Sequence, residues 1–101
     1  MNDLDEAFVG VVTRLRNLLE DATGKLRASD ALALAGFRGP SFQRSQLVAR
    51  ALRSLGWERG RYRFGGQLRY AYARGTPLER EVMLTVERGD DDLLVVRRSE
   101  P

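Results

Sequence analysis

Gly65-Gly66 lies between two runs in which aromatic and arginine residues alternate, Trp57 to Phe64 and Gln67 to Arg74. Two adjacent residues that tolerate positive φ close a two-residue loop, and a period of two marks strands with distinct faces, so this stretch predicts a β-hairpin. The first strand interleaves Arg59, Arg61 and Arg63 with Tyr62 and Phe64. The return strand interleaves Arg69 and Arg74 with Leu68, Tyr70 and Tyr72. Trp57 shares the phase of the arginines rather than that of the aromatics. Either Gly60 marks a bulge that resets the register, or Trp57 belongs to the corner where the preceding helix ends and serves as a core anchor.

Three segments of helical character precede the hairpin. Leu4, Phe8, Val11, Val12, Leu15 and Leu19 recur at helical spacing and predict a helix from about Leu4 to Asp21. Asp3 is its expected N-cap, Glu6 completes a capping box, and Gly24 is the expected stop. Lys25-Leu26-Arg27 reads as a short extended link or strand stub. Ser29 is expected to cap a second helix, Asp30 to Ala35, which Gly36 ends while Phe37 fills the core. Arg38-Gly39-Pro40-Ser41 reads as a turn. A third helix from about Phe42 to Leu55 gathers Leu47, Val48, Ala51, Leu52 and Leu55 on one face and Gln43, Gln46, Arg50 and Arg53 on the other, with Gly56 as its stop.

The last quarter allows two readings. Thr76-Pro77-Leu78-Glu79 has the form of a helix start. Val82, Leu84 and Val86 alternate like a strand, and Gly89-Asp90-Asp91-Asp92 reads as a turn before Leu93-Leu94-Val95-Val96. The second reading, a hairpin over about Glu81–Arg88 and Leu93–Arg97, is preferred. The expectation is a single α+β domain over residues 1–101. A winged helix, with three helices and a basic two-stranded wing, has its core in residues 25–75, and residues 76–101 are an acidic C-terminal extension.

Composition narrows the chemistry. The 101 residues include no cysteine and no histidine. That removes thiolate chemistry, the commonest general base and the commonest metal ligand. Asp90-Asp91-Asp92 could in principle face a divalent cation, but three acids in a turn are more often solvated. The expectation is a protein without catalytic residues, metal or cofactor. No apolar run is long enough to span a membrane, and the acidic N-terminus does not suit a secretory signal. Together these point to the cytoplasm of a bacterium or of a virus-infected bacterium.

Charge is unevenly laid out. Residues 1–24 carry five acids and two bases, residues 25–75 eleven bases and two acids, and residues 76–101 four bases and seven acids. Like charges crowded into one segment repel, and phosphate binding is the usual reason to keep them. No Asp or Glu occurs from Ala31 to Trp57. In the order helix, helix, helix, hairpin, the third helix is the candidate reader of a major groove. Gln43 and Gln46 suit base edges, and Arg50 and Arg53 suit guanine or phosphate. Arg44 sits near the helix start but towards the apolar side. Arg59, Arg61, Arg63 and Arg69 would form a phosphate rail along the hairpin. Tyr62, Tyr70 and Tyr72 either stack on unpaired bases or pack in the core, and core packing is the commoner fate.

Leu47-Val48-Ala49-Arg50-Ala51-Leu52-Arg53-Ser54-Leu55-Gly56-Trp57-Glu58-Arg59, followed by the basic hairpin Arg61 to Tyr72, resembles the small winged-helix tail of phage and plasmid replication proteins. The nearest likeness is the C-terminal region of virulence-associated-E-type primase–helicases, and Leu26 to Phe37 resembles the preceding helix of that module. The resemblance covers roughly half of the chain and no nucleotide-handling domain. It implies groove contacts from Gln46, Arg50 and Arg53 and wing contacts from Arg61, Arg63 and Arg69. The partner expected is double-stranded DNA, in a phage or plasmid regulator or replication accessory. The alternative is a protein partner met through the acidic segments, as in an inhibitor of a host nucleic-acid-processing machine. A homodimer is compatible with either.

Overall fold

The segment read as a link, Lys25-Leu26-Arg27, belongs to the central strand of a five-stranded sheet. The structure is a computed structural model that describes the backbone of residues 3–39 and 41–99 and the side chains of residues 6–39 and 41–98. Its elements are α1 (Asp3–Leu19), β1 (Gly24–Arg27), α2 (Ala28–Leu34), α3 (Phe42–Ser54), β2 (Glu58–Phe64), β3 (Gln67–Arg74), a 3-10 turn (Glu79–Glu81), β4 (Met83–Arg88) and β5 (Leu94–Ser99). The strand order is β2-β3-β1-β4-β5. β1 runs antiparallel to β3, with Leu26 opposite Tyr72, and parallel to β4, with Leu26 opposite Leu84. The architecture is therefore α+β: three helices and a mixed sheet.

The helices pack on one face of that sheet. Val11, Leu15 and Leu19 of α1, Leu32 and Leu34 of α2, and Val48 and Leu52 of α3 meet Leu26, Tyr72 and Leu84 in one buried cluster anchored by Trp57. Each fully buried leucine there stabilises the fold by about 2 kcal/mol. The core thus draws on α1 and β4 as well as on the basic segment between them. Trp57 is 1% exposed and sits at the helix–strand corner. Tyr72 is 4% exposed, so it is a core residue and no stacking platform.

Several local expectations are corrected. α1 stops at Leu19, where Glu20 takes φ 46°, rather than at Gly24. Gly24 instead opens β1, because a Cβ there would come within 2.6 Å of the Val82 carbonyl. α2 begins at Ala28 straight out of the strand, with Arg27 in the cap position and no side-chain cap bond, so Ser29 is not the N-cap. The Gly60 bulge is absent: β2 and β3 pair without interruption from Glu58↔Ala73 to Phe64↔Gln67. The phase break belongs to Trp57, which precedes the strand. The expected Asp3–Glu6 capping box rests on the Asp3 side chain, which lies outside the described residues, as does Pro40.

Other signals hold. Gly36 and Gly56 both take φ 91°. Each closes a helix by paired bonds, Phe37 N–H to the Leu32 carbonyl and Trp57 N–H to the Leu52 carbonyl, the bonds of a Schellman stop. Gly65 and Gly66 take φ 59° and 87°, as the two-residue turn requires. Both readings of the last quarter find a place. The Thr76 hydroxyl accepts from Glu79 N–H and the Glu79 carboxylate accepts from Thr76 N–H, but this box starts only one 3-10 turn before β4. The second hairpin follows.

Candidate nucleic-acid interface

The basic residues singled out in the sequence fall into two neighbouring groups. The first is on α3, where the Ser41 hydroxyl caps the helix by accepting from Arg44 N–H at 3.2 Å. Gln43, Arg44, Gln46 and Arg50 are all exposed. They border a groove of about 680 Å³ between α3 and α1, whose floor includes Val11, Ala35 and Leu47. The Arg44 guanidinium lies over the Phe37 ring at 5.6 Å, and that of Arg50 over the Phe8 ring at 5.1 Å. Arginine stacked in this way is held in place while its N–H donors stay free to bond. Phe8 and Phe37 therefore act as platforms for the two arginines.

The second group is on the hairpin. By register Arg59, Arg61 and Arg63 stand opposite Tyr72, Tyr70 and Leu68, on the face of the sheet that carries the helices. Arg59 and Arg61 both lie over the Tyr70 ring, at 5.4 and 5.6 Å. Burial pushes the Tyr72 phenol up, and the charges of Arg59 and Arg53 oppose that rise. The charges of Arg53, at the end of α3, and Arg59, on the hairpin, are thus both felt at the Tyr72 hydroxyl. Arg69 departs from the expected single rail. It pairs in register with Tyr62, on the opposite face, and donates to the Gln67 side chain at 2.7 Å. The strict alternation of the two-residue hairpin imposes this, since Arg61 and Arg69 have opposite phases.

None of these arginines is neutralised by an acid among the described residues. Among the described residues the salt bridges are Arg80–Glu58, Arg88–Asp92 and Arg97–Glu87. None uses Arg44, Arg50, Arg53, Arg59, Arg61, Arg63 or Arg69. Arg74 serves the fold instead. Its guanidinium donates to the carbonyls of Glu20, Ala22 and Leu55, and lies 4.7 Å from the Trp57 ring. It therefore ties the ends of α1 and α3 to β3. Partial burial lowers its pKa.

Elsewhere the chemistry is spare. The Asp91 carboxylate accepts from Leu93 N–H and Asp92 pairs with Arg88, so two of the three adjacent acids serve the β4–β5 turn. Among the described residues no three carboxylates come together to hold a metal ion. No helix there is long and apolar enough to cross a membrane. Comparison with known protein families, with curated proteins and with solved structures gave no match.

Sequence reasoning passed over Arg27 and Ser29. They line a cleft of about 570 Å³ together with Arg61, Leu68, Arg69 and Tyr70. The sequence marks Arg27 as part of a short link or strand stub and Ser29 as a cap, and neither as a site residue. The pairing of β1 with β3, which brings them beside the hairpin, has no local signature.

Proposed function

We propose that the chain is a winged helix-turn-helix module that binds double-stranded DNA, with α3 in the major groove and the β2–β3 hairpin as the wing on the flanking backbone. The observation that carries this reading is the set of seven exposed arginines on α3 and the hairpin that, unlike Arg74, are bonded neither to a carboxylate nor to a backbone carbonyl among the described residues. Exposed guanidinium groups left uncompensated in one region suit phosphate. The element order supports the fold assignment. β1 lies between α1 and α2 in the chain and pairs antiparallel with the second strand of the hairpin, which sets the wing beside α3. Gln43 and Gln46 are the candidates for base edges, and Arg50, Arg53, Arg59, Arg61 and Arg63 for phosphates.

The test is a salt titration of duplex binding by fluorescence anisotropy. With about six phosphate contacts, the slope of log affinity against log salt is near −5. Absent or salt-indifferent binding would sink the reading. A second reading, a protein partner, is favoured by the groove between α1 and α3. Its floor is apolar and it shares Arg44 and Arg50 with the proposed DNA surface. Such a partner would compete with DNA.

A further inference from the structure

The cleft beside the wing has features that a simple phosphate rail does not need. β1 pairs with β3 only over Ala71–Arg74, and Arg27 is its last paired residue. The chain then turns into α2, leaving Leu68 and Tyr70 of β3 beyond the end of β1. In a two-residue hairpin Phe64 and Gln67 form a hydrogen-bonded pair, so alternate residues of β3 point their backbone groups away from β2. By that alternation the N–H and C=O of Leu68 and Tyr70 face the cleft.

The side chains around it agree in kind. Arg27, Ser29, Arg61 and Arg69 line the cleft and no carboxylate does; by register Arg61 comes from the face that carries Tyr70, and Arg27 and Arg69 from the opposite face of the sheet. Tyr70 is 59% exposed and Leu68 51% exposed, large apolar groups left uncovered in a strongly cationic setting. Arg59 and Arg61 reach the Tyr70 ring from the neighbouring strand, which steadies it. The Nε–H of Arg27 is buried and has no hydrogen-bond partner, although its guanidinium is held over the Phe64 ring at 5.1 Å. A buried donor without an acceptor costs about 1–3 kcal/mol, so the chain keeps a cation beside the cleft at a cost to its own stability.

We propose that this cleft seats an unpaired nucleotide. The base lies on Tyr70 and Leu68, the phosphate meets Arg61 on the same face with Arg27 and Arg69 adding charge from the other side of the gap in the sheet, and the free backbone groups of β3 meet the base edge. This inference rests on the DNA-binding reading and sharpens its substrate: the module engages duplex that ends in, or opens into, single strand. Stacking on an aromatic ring is tolerant of base identity, so the seat recognises an unpaired base without choosing a sequence.

The experiment compares the full chain on a blunt duplex and on the same duplex with a short single-stranded tail, by anisotropy at about 0.1 M salt. The expected gain from the tail is about tenfold in Kd. Tyr70→Ala brings the tailed-to-blunt ratio close to one, and Tyr70→Phe keeps the gain because the ring remains. Tight blunt-duplex binding with no gain from the tail would overturn the seat while leaving the duplex reading intact, and the open edge of β3 would then suit an extended peptide. A gain that survives Tyr70→Ala would equally overturn it. If neither probe binds, the DNA reading itself fails and the seat with it.

Discussion

The two hairpins of this sheet are built alike and charged differently. β2–β3 turns on Gly65-Gly66 at one edge, and β4–β5 turns on Gly89 to Leu93 at the other. In the second hairpin Arg88 pairs with Asp92 at 3.2 Å and Arg97 with Glu87 at 2.7 Å. In the first, Arg59, Arg61 and Arg63 share a face with Tyr70 and Tyr72 and meet no acid. Surface ion pairs of the second kind contribute roughly 0–1 kcal/mol, so their presence says little about stability. Their absence from the row Arg59, Arg61 and Arg63 is more informative, because like charges in a row repel one another and binding to a polyanion is the usual reason to keep them.

The largest expected effect concerns the arginine of β3 that belongs to neither pattern. Arg74→Ala removes three charge-assisted bonds to helix-end carbonyls and a ring contact, and should cost about 3 kcal/mol. Urea denaturation would read this as a lower midpoint with little change in slope. A loss below about 1 kcal/mol would show that solvent serves those carbonyls equally well.

Next comes the direct contrast between hairpins. Arg59→Gln/Arg61→Gln/Arg63→Gln should weaken duplex binding by about a hundredfold at low salt and reduce the salt slope by about 3. Arg88→Gln/Arg97→Gln should change binding less than about threefold. Equal losses per charge removed from the triple and the double variant would reduce the interface to net charge alone.

The turns sharpen the comparison at about 1 kcal/mol. Gly65→Ala places a Cβ at φ 59° and should destabilise by about that much. Asp92 already stands at φ 64° in the other turn, tolerated as short polar residues are. Asp92→Gly relieves the backbone but loses the Arg88 pair, and thermal melts should place it within about 0.5 kcal/mol of the parent.

The smallest effect is a pH dependence at the join between the hairpins. The Thr76 N–H and hydroxyl hold the Glu79 carboxyl below its ordinary value, and Arg80 does the same for Glu58. A depressed folded-state pKa contributes stability above the unfolded value of 4.5, and that contribution fades as pH falls through the folded value. Asp30, raised by burial, has the opposite sign. Glu79→Gln should therefore flatten the fall in melting temperature below about pH 4.5; an unaltered profile would assign the fall to other acids.

Legibility in the sequence followed the range of the interaction. The Gly-Gly turn, the Gly36 and Gly56 stops and the α3 apolar face are local and were readable. Glu20 as the end of α1 was not, because a non-glycine residue at positive φ has no sequence mark and Gly24 offered a more obvious stop. Gly24 and Gly60 give a misleading signal because glycine also serves close approach: at Gly60 a Cβ would meet the Tyr62 ring at 3.2 Å. The split of Arg69 from Arg61 was implicit in the alternation, but charge counting hid it. The cleft at Arg27 depends on a pairing across 44 residues, Arg27 with Ala71, and so lay beyond any local pattern.

The placement of β1 also bears on how the chain finds its structure. Each hairpin closes over a short loop and can form within microseconds. β1 has only four residues, and its partners Tyr72 and Leu84 lie far along the chain. Closing those long loops is the entropic toll on the route to the native sheet. Substitutions at Leu26 should therefore slow folding, whereas substitutions at the far ends of the hairpins should mainly hasten unfolding.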